Sequence, residues 1–259
     1  MPAADILEES RRILHEAEKD EILLRLLGGL AIRLHSPSAT HRAIERQYAD
    51  IDLMGLRKQS RKIKELFQRL GYAPREIFNA LQGDRRLIFN DLDNQRRVDV
   101  FLDVFEMCHR FDFRDRLLID KQTISLSDLI ATKLQVVQIT EREYKDIIAL
   151  VHDHEVTDSD EPETINGAYL SKLCAENWGI YKTFTVNILN VIQALSSYDL
   201  ESGYKEVVHE RLEKLLRRIE VEPKTTSWKI RARIGKNLKW YELPEEDKKV
   251  VNNRLADSG

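Results

Sequence analysis

The chain is poor in cysteine: 259 residues contain only Cys108 and Cys174. Two thiols cannot form a disulfide framework, and the expected setting is a reducing compartment. A long apolar run is also missing. The longest, Ile22 to Leu34, is interrupted by Arg25, Gly28, Gly29 and Arg33, too short and too polar to span a bilayer. Met1 to Arg12 holds acids and no apolar stretch of the kind a secretory signal needs. A soluble, cytoplasmic protein with no membrane partner is the expectation. There is no excess of charge of one sign either: 41 Lys and Arg against 44 Asp and Glu leave a net charge of −3. That excludes a globally basic nucleic-acid binder and leaves room for a local basic patch. No phosphate-binding P-loop and no Ser-His-Asp arrangement is recognisable. Cys108-His109 with His152 and His154 matches no usual zinc-ligand spacing.

What remains is a globular composition, 42% hydrophobic and 33% charged, long enough for one large domain or two small ones. Residues 5 to 20 carry apolar side chains at helical spacing. Ile22 to Leu27 reads as a buried strand stopping at Gly28-Gly29, with one or two helical turns over Leu30 to His35. Ser36 to Thr40, with Pro37, reads as loop. Tyr48 to Leu56 is a second strand, and Arg57 to Leu70 a helix closed by Gly71. Leu87 to Asn90 and Arg97 to Phe105 are strands around the turn at Asp91 to Asn94. The period then becomes helical: Ser127 to Val137, opened by a serine cap, then Glu141 to His152. The segment Asp153 to Glu163 has six acids and no Lys or Arg, the best candidate for a domain boundary; the plainer reading is a solvated loop. Helical patterns follow over Glu163 to Glu176, Tyr181 to Leu195 and Lys205 to Ile219. The expected fold class is therefore α+β: a small mixed sheet flanked by helices in residues 1–155, then a mainly helical domain in 156–259.

The acids of the strands are the chemically pointed feature. Asp50 and Asp52 are two apart on one strand, so their carboxylates share a face while Ile51 and Leu53 turn to the other. Taken alone, Asp-x-Asp also suits a solvated sheet edge. Asp99, however, interrupts the apolar run Val98 to Val104, where an unpaired charge is costly. If its strand neighbours that of Asp52, three carboxylates converge, a donor set suited to Mg²⁺ or Mn²⁺. Asp103, about 13 Å further along a strand, cannot share a compact site with Asp99. Gly28-Gly29, ending a strand and opening a helix, allows backbone N–H groups to approach a phosphate.

The runs Leu27-Gly28-Gly29-Leu30-Ala31-Ile32-Arg33-Leu34 and Arg46-Gln47-Tyr48-Ala49-Asp50-Ile51-Asp52-Leu53 resemble the nucleotidyltransferases of the polymerase-beta superfamily. Within it they are most similar to the AbiEii/AbiGii-type toxin nucleotidyltransferases. Leu129-Ile130-Ala131-Thr132-Lys133-Leu134 and Tyr144-Lys145-Asp146-Ile147 look like two further elements of that family, and the resemblance covers roughly residues 20 to 152. It implies that Asp50, Asp52 and Asp99 are catalytic and bind Mg²⁺ or Mn²⁺. Gly28, Gly29, Arg46 and Lys133 would face the NTP, supported by Lys145 and Asp146. The implied reaction moves a nucleoside monophosphate from an NTP to an acceptor hydroxyl on RNA, a protein or a small molecule. The chain departs from the family pattern in three ways: Tyr48 replaces a usual Ser, Gly29 stands where many members have Ser, and the spacer from Gly29 to Asp50 is long, implying a loop insertion around His35 to Ala43. These departures suit the alternative of a catalytically weak relative acting as a binding or regulatory partner.

Outside that resemblance, residues 224 to 240 contain six Lys or Arg and no acid, beside Trp228, Trp240 and Tyr241. Trp228, Ile230, Ala232 and Ile234 alternate with Lys229, Arg231 and Arg233. Interleaved aromatics and cations can stack bases and meet phosphates, so Trp228, Arg231 and Arg233 are expected to help dock a nucleic-acid acceptor. The plainer reading is a structural cap whose tryptophans pack inward.

Overall fold

In the computed structural model, which describes residues 1–243, Asp5 starts helix α1 (Ile6–Lys19) by accepting from Glu8 N–H at 2.8 Å. Ile13 and Ala17 of α1 are buried. Strand β1 (Leu24–Leu27) runs directly into α2 (Gly28–His35), which takes in both glycines. The expected loop at Ser36 to Thr40 is instead a 3₁₀ turn over Pro37–Thr40. Ala39 is buried, and Asp153 accepts from Ser38 N–H at 2.9 Å, so part of the long spacer is packed. Strand β2 (Asp50–Gly55) leads to α3 (Ser60–Arg69), which ends before Gly71 at φ +90°, where a side chain would be strained.

Next come β3 (Ala73–Pro74), α4 (Glu76–Gln82), β4 (Arg86–Asp91) and β5 (Arg96–Leu102). The sheet order is β1-β2-β5-β4-β3, with β2 and β5 parallel and every other pair antiparallel. Alternation gives it two unlike faces. Ile51, Leu53, Val98, Val100, Leu87 and Phe89 form the buried face, and Phe89 stacks on Phe67 of α3 at 4.3 Å. Asp50, Asp52, Arg97, Asp99 and Arg86 belong to the opposite face.

The strand expected to reach Phe105 stops at Leu102, because Asp103 adopts φ +64° and its carboxylate accepts from Arg57 N–H at 2.9 Å. Beyond it, β6 (Val104–Glu106) and β7 (Arg110–Asp112) form a separate hairpin. Helix α5 (Leu126–Leu134) begins two residues earlier than expected. Its cap is Ser125, whose hydroxyl accepts from Asp128 N–H at 3.1 Å, whereas Ser127 is buried and accepts from Asn166 N–H. Helix α6 (Glu141–Asp153) opens with a reciprocal Thr140–Glu143 capping box.

The acidic segment contains β8 (Glu155–Thr157), which pairs in parallel with β9 (Thr164–Asn166) just beyond it, where a helix was expected from Glu163. Among the described residues, helices α7 (Gly167–Glu176), α8 (Trp178–Ala194), α9 (Ser202–Val221) and α10 (Thr226–Ile234) follow. The architecture is α+β with one small mixed sheet. One apolar cluster runs from Ile13 and the sheet through Leu129 and Ile148 to Phe184, Leu212 and Ile219. Among the described residues, no helix is long and apolar enough to cross a membrane.

Candidate active site

The parallel pairing of β2 with β5 sets Asp52 opposite Asp99 on one face of the sheet. Asp50, two residues earlier, pairs with Arg97 and is exposed. Asp52 is half-buried and Asp99 is fully buried. Burial, with repulsion from Asp99 and Asp50, pushes the Asp52 carboxyl up to about 6 against the pull of Lys133 and Arg86. Asp99 is charge-compensated: Arg86 donates to Oδ1 at 2.9 Å, and Arg97 Nε lies 2.8 Å from Oδ2. The Arg86 guanidinium also lies 4.8 Å from the Phe101 ring centre.

Gly28 closes the other side. Leu27, its predecessor, pairs with Asp52 across β1 and β2 and offers α2 no side-chain cap. Gly28 has φ +73°, and a β-carbon there would sit 2.7 Å from Asp52 Oδ2. Backbone and carboxylate can therefore approach only because the residue is glycine. A β-carbon on Gly29 would lie 1.7 Å from Arg46 Nη2 and 2.9 Å from the Tyr48 ring. The Arg46 guanidinium stacks over Tyr48 at 4.4 Å. The two departures at Gly29 and Tyr48 are thus one structural unit: Arg46 and Tyr48 fill the volume that a serine side chain at position 29 would occupy.

Arg46, Lys133 and Asp146 meet at a buried ion cluster. Arg46 donates twice to Asp146, at 2.8 and 2.9 Å, and Lys133 Nζ is 2.7 Å from Asp146 Oδ2. Burial alone would raise the Asp146 carboxyl, but Lys133 and Arg46 hold it below the usual range. Lys145 lies outside this cluster and meets the Glu45 carbonyl at 3.3 Å and Glu141 at 3.4 Å.

The basic segment forms helix α10, so the alternation of Trp228 to Ile234 is wrapped around a helix. Thr225 caps α10 by accepting from Trp228 N–H at 3.2 Å. Trp228 packs edge-on against Tyr181 at 5.1 Å, and Arg231 donates to the carbonyls of Gly235 and Leu238. Lys224 closes the end of α9, donating to Glu222 O at 2.8 Å. Those two cations have structural work, while Lys229, Arg233 and Lys236 are exposed.

Arg86 and Arg97 were not among the expected site residues. The available signal was parity: Arg97 lies two residues before Asp99 and so on its face. Arg86 reaches Asp99 only through the β4–β5 register. Among the described residues, no group of three or more His, Cys, Asp or Glu side chains is arranged to hold a metal ion. The chain matches no protein-family model and no curated protein.

Proposed function

We propose that the chain is a metal-dependent nucleotidyltransferase of polymerase-beta type, moving a nucleoside monophosphate from an NTP to an acceptor hydroxyl on RNA, a protein or a small molecule. The observation that carries this reading is the in-register pair Asp52–Asp99 with Gly28 packed against Asp52. The donor chemistry fits Mg²⁺ or Mn²⁺ at Asp50 and Asp52: burial, with repulsion from Asp99 and Asp50, drives the Asp52 carboxyl up, and a hard cation would offset both. Mg²⁺ commonly uses one or two carboxylates and completes its shell with water and substrate phosphates. When bound, the ion would supply charge neutralisation of the phosphates.

The protein's own groups would do the rest. Gly28 would let the backbone approach the triphosphate closely, while Gly29 leaves room for Arg46 and Tyr48 beside it. Lys133 supplies a positive charge beside it, positioned by Asp146, which Arg46 braces. Asp99 would serve as a third ligand only if it released oxygens now facing Arg86 and Arg97. In that arrangement the freed guanidiniums neutralise phosphate charge next to the reacting oxygen.

A second reading, a catalytically weak protein that acts by binding, is favoured by the same pairings: Asp99 and Lys133 are both already engaged internally. Incubation with each α-labelled NTP, Mg²⁺ and, in separate reactions, total RNA, total protein or small hydroxyl compounds separates the two. Label moving to an acceptor in wild type and not in Asp52→Asn supports transfer; no label on any acceptor supports the binding reading.

A further inference from the structure

All three tryptophans of the chain, Trp178, Trp228 and Trp240, line one cavity of about 420 Å³, together with Tyr241. It lies between the β6–β7 turn, the start of α8 and α10, in the size range of small-molecule sites, about 300–1,000 Å³. Its walls are fixed. Trp240 Nε1 donates to Thr183 Oγ1 at 3.3 Å, and His109 Nε2 is 2.8 Å from the same oxygen. Glu242 N–H donates to Cys108 O at 3.0 Å, and the Trp240 carbonyl packs where a β-carbon on Gly179 would be. Trp178 and Trp240 meet edge to face at 5.9 Å, as do Trp240 and Tyr241 at 5.2 Å. Each edge-to-face contact uses one face of one ring only, so the cluster keeps further ring faces for a ligand. A cluster serving only to cap the helices would close on itself; this one leaves an open recess between its rings.

The surrounding charge has a direction. Arg231 lies 4.7 Å over Trp178, and Lys239 lies 5.5 Å from the Tyr241 ring. Lys229, Arg233 and Lys236 are exposed on α10 and the turn after it, in a stretch without acids. The wall also carries Glu106, Glu176 and Glu242, and Glu242 is 3.7 Å from Lys239. A ligand with a flat, polar-edged ring and a negatively charged tail matches rings inside and cations outside. We propose that this cavity takes an unpaired base of a single-stranded nucleic acid, whose phosphates meet Lys229, Arg233 and Lys236. Stacking on aromatic faces with a cationic track is the general physics of such binding. The proposal goes beyond the transfer reading and does not rest on it.

Because every tryptophan lines this cavity, intrinsic tryptophan fluorescence reports its occupancy. The test titrates the full chain with a ten-nucleotide oligo(A) RNA, its DNA counterpart, and anionic phospholipid vesicles. The expected result is saturable quenching by oligonucleotide that weakens about tenfold or more between 50 and 200 mM salt, as about three neutralised phosphates on a single strand would give. Trp240→Leu should weaken binding fivefold or more. The exposed pair Arg233→Glu with Lys236→Glu, which leaves the cavity wall untouched, should do so even if Trp240→Leu fails to fold. RNA and DNA binding equally, or RNA more tightly, both support the site and differ only in naming its ligand. No quenching at low salt overturns the proposal. So does quenching indifferent to the charge-reversed pair, or quenching by vesicles in place of oligonucleotide through the exposed Ile230 and Leu238. Asp52→Asn should bind oligonucleotide unchanged. A protein that binds but does not transfer defeats only the transfer reading, and one that transfers without quenching defeats only this proposal.

Discussion

Gly28 and Asp52 pack so closely that a β-carbon on the glycine would stand 2.7 Å from Asp52 Oδ2, and the glycine backbone is at φ +73°. Gly28→Ala meets both obstacles. The left-handed backbone alone costs about 1–2 kcal/mol, and the displaced carboxylate removes alignment with Asp99. The expected outcome is a lowered melting temperature together with loss of NTP binding, measured by thermal unfolding with and without NTP and Mg²⁺.

Asp146 neutralises two buried or half-buried cations, so Asp146→Asn should be among the most damaging single changes in the site. Breaking such a pair by removing one partner costs about 3–5 kcal/mol. Adding Lys133→Met to Asp146→Asn should recover part of the loss, because it removes a stranded charge. A denaturant-unfolding double-mutant cycle checks this; strict additivity would contradict the ion cluster.

Asp52 carries its charge against the stability of the fold. Its folded-state carboxyl is raised to about 6 from an ordinary value near 4. The folded state therefore holds a proton that the unfolded chain has released, and stability falls as pH rises from about 4 to 6. Asp52→Asn should be about 1–2 kcal/mol more stable than wild type at pH 7.5, a gap that closes below pH 4. Transfer by wild type should rise with pH through about 6, and more Mg²⁺ should move that midpoint lower by favouring the ionised form. Unfolding curves and initial rates across pH 4 to 8 measure both.

His109 titrates with the opposite sign. Burial pushes its imidazole down to about 4, so the unfolded chain takes up a proton that the folded chain refuses. Its contribution to stability is complete above the unfolded value near 6.5 and is lost as pH falls toward 4, by up to about 3 kcal/mol. In His109→Gln that part of the acid limb should disappear, as followed by tryptophan fluorescence, whose reporters lie around His109.

The shared face of Asp50 and Asp52, and Asp99 inside an apolar strand, were legible because strand alternation is strict and the surrounding residues are strongly β-forming. Helices α1, α3, α6 and α9 announced themselves through apolar spacing. Other features left little imprint. The β3 strand is two residues long, and α4 exposes Ile77 and Leu81, so it shows no clean apolar stripe. No residue of α10 is fully buried, so its sequence keeps a two-residue alternation that helical packing never overwrote. Ser125 and Ser127 differ as caps only by which hydroxyl another element claims: Asn166 N–H takes Ser127. The compensation of Asp99 by Arg86, and of Asp146 by Arg46 and Lys133, depends on contacts across strands and across about 100 residues of chain, which no local pattern encodes.

In the proposed reading, Asp52, Gly28 and Lys133 form a site for an NTP with its divalent cation. The most direct measurement is calorimetric binding of a non-hydrolysable α,β-methylene NTP, with and without Mg²⁺, to wild type, Asp52→Asn and Lys133→Ala. Wild type should bind only with Mg²⁺ present, Asp52→Asn at least tenfold more weakly, and Lys133→Ala more weakly than wild type. Binding that ignores Mg²⁺ and survives both substitutions, or no binding by wild type at all, would contradict that reading.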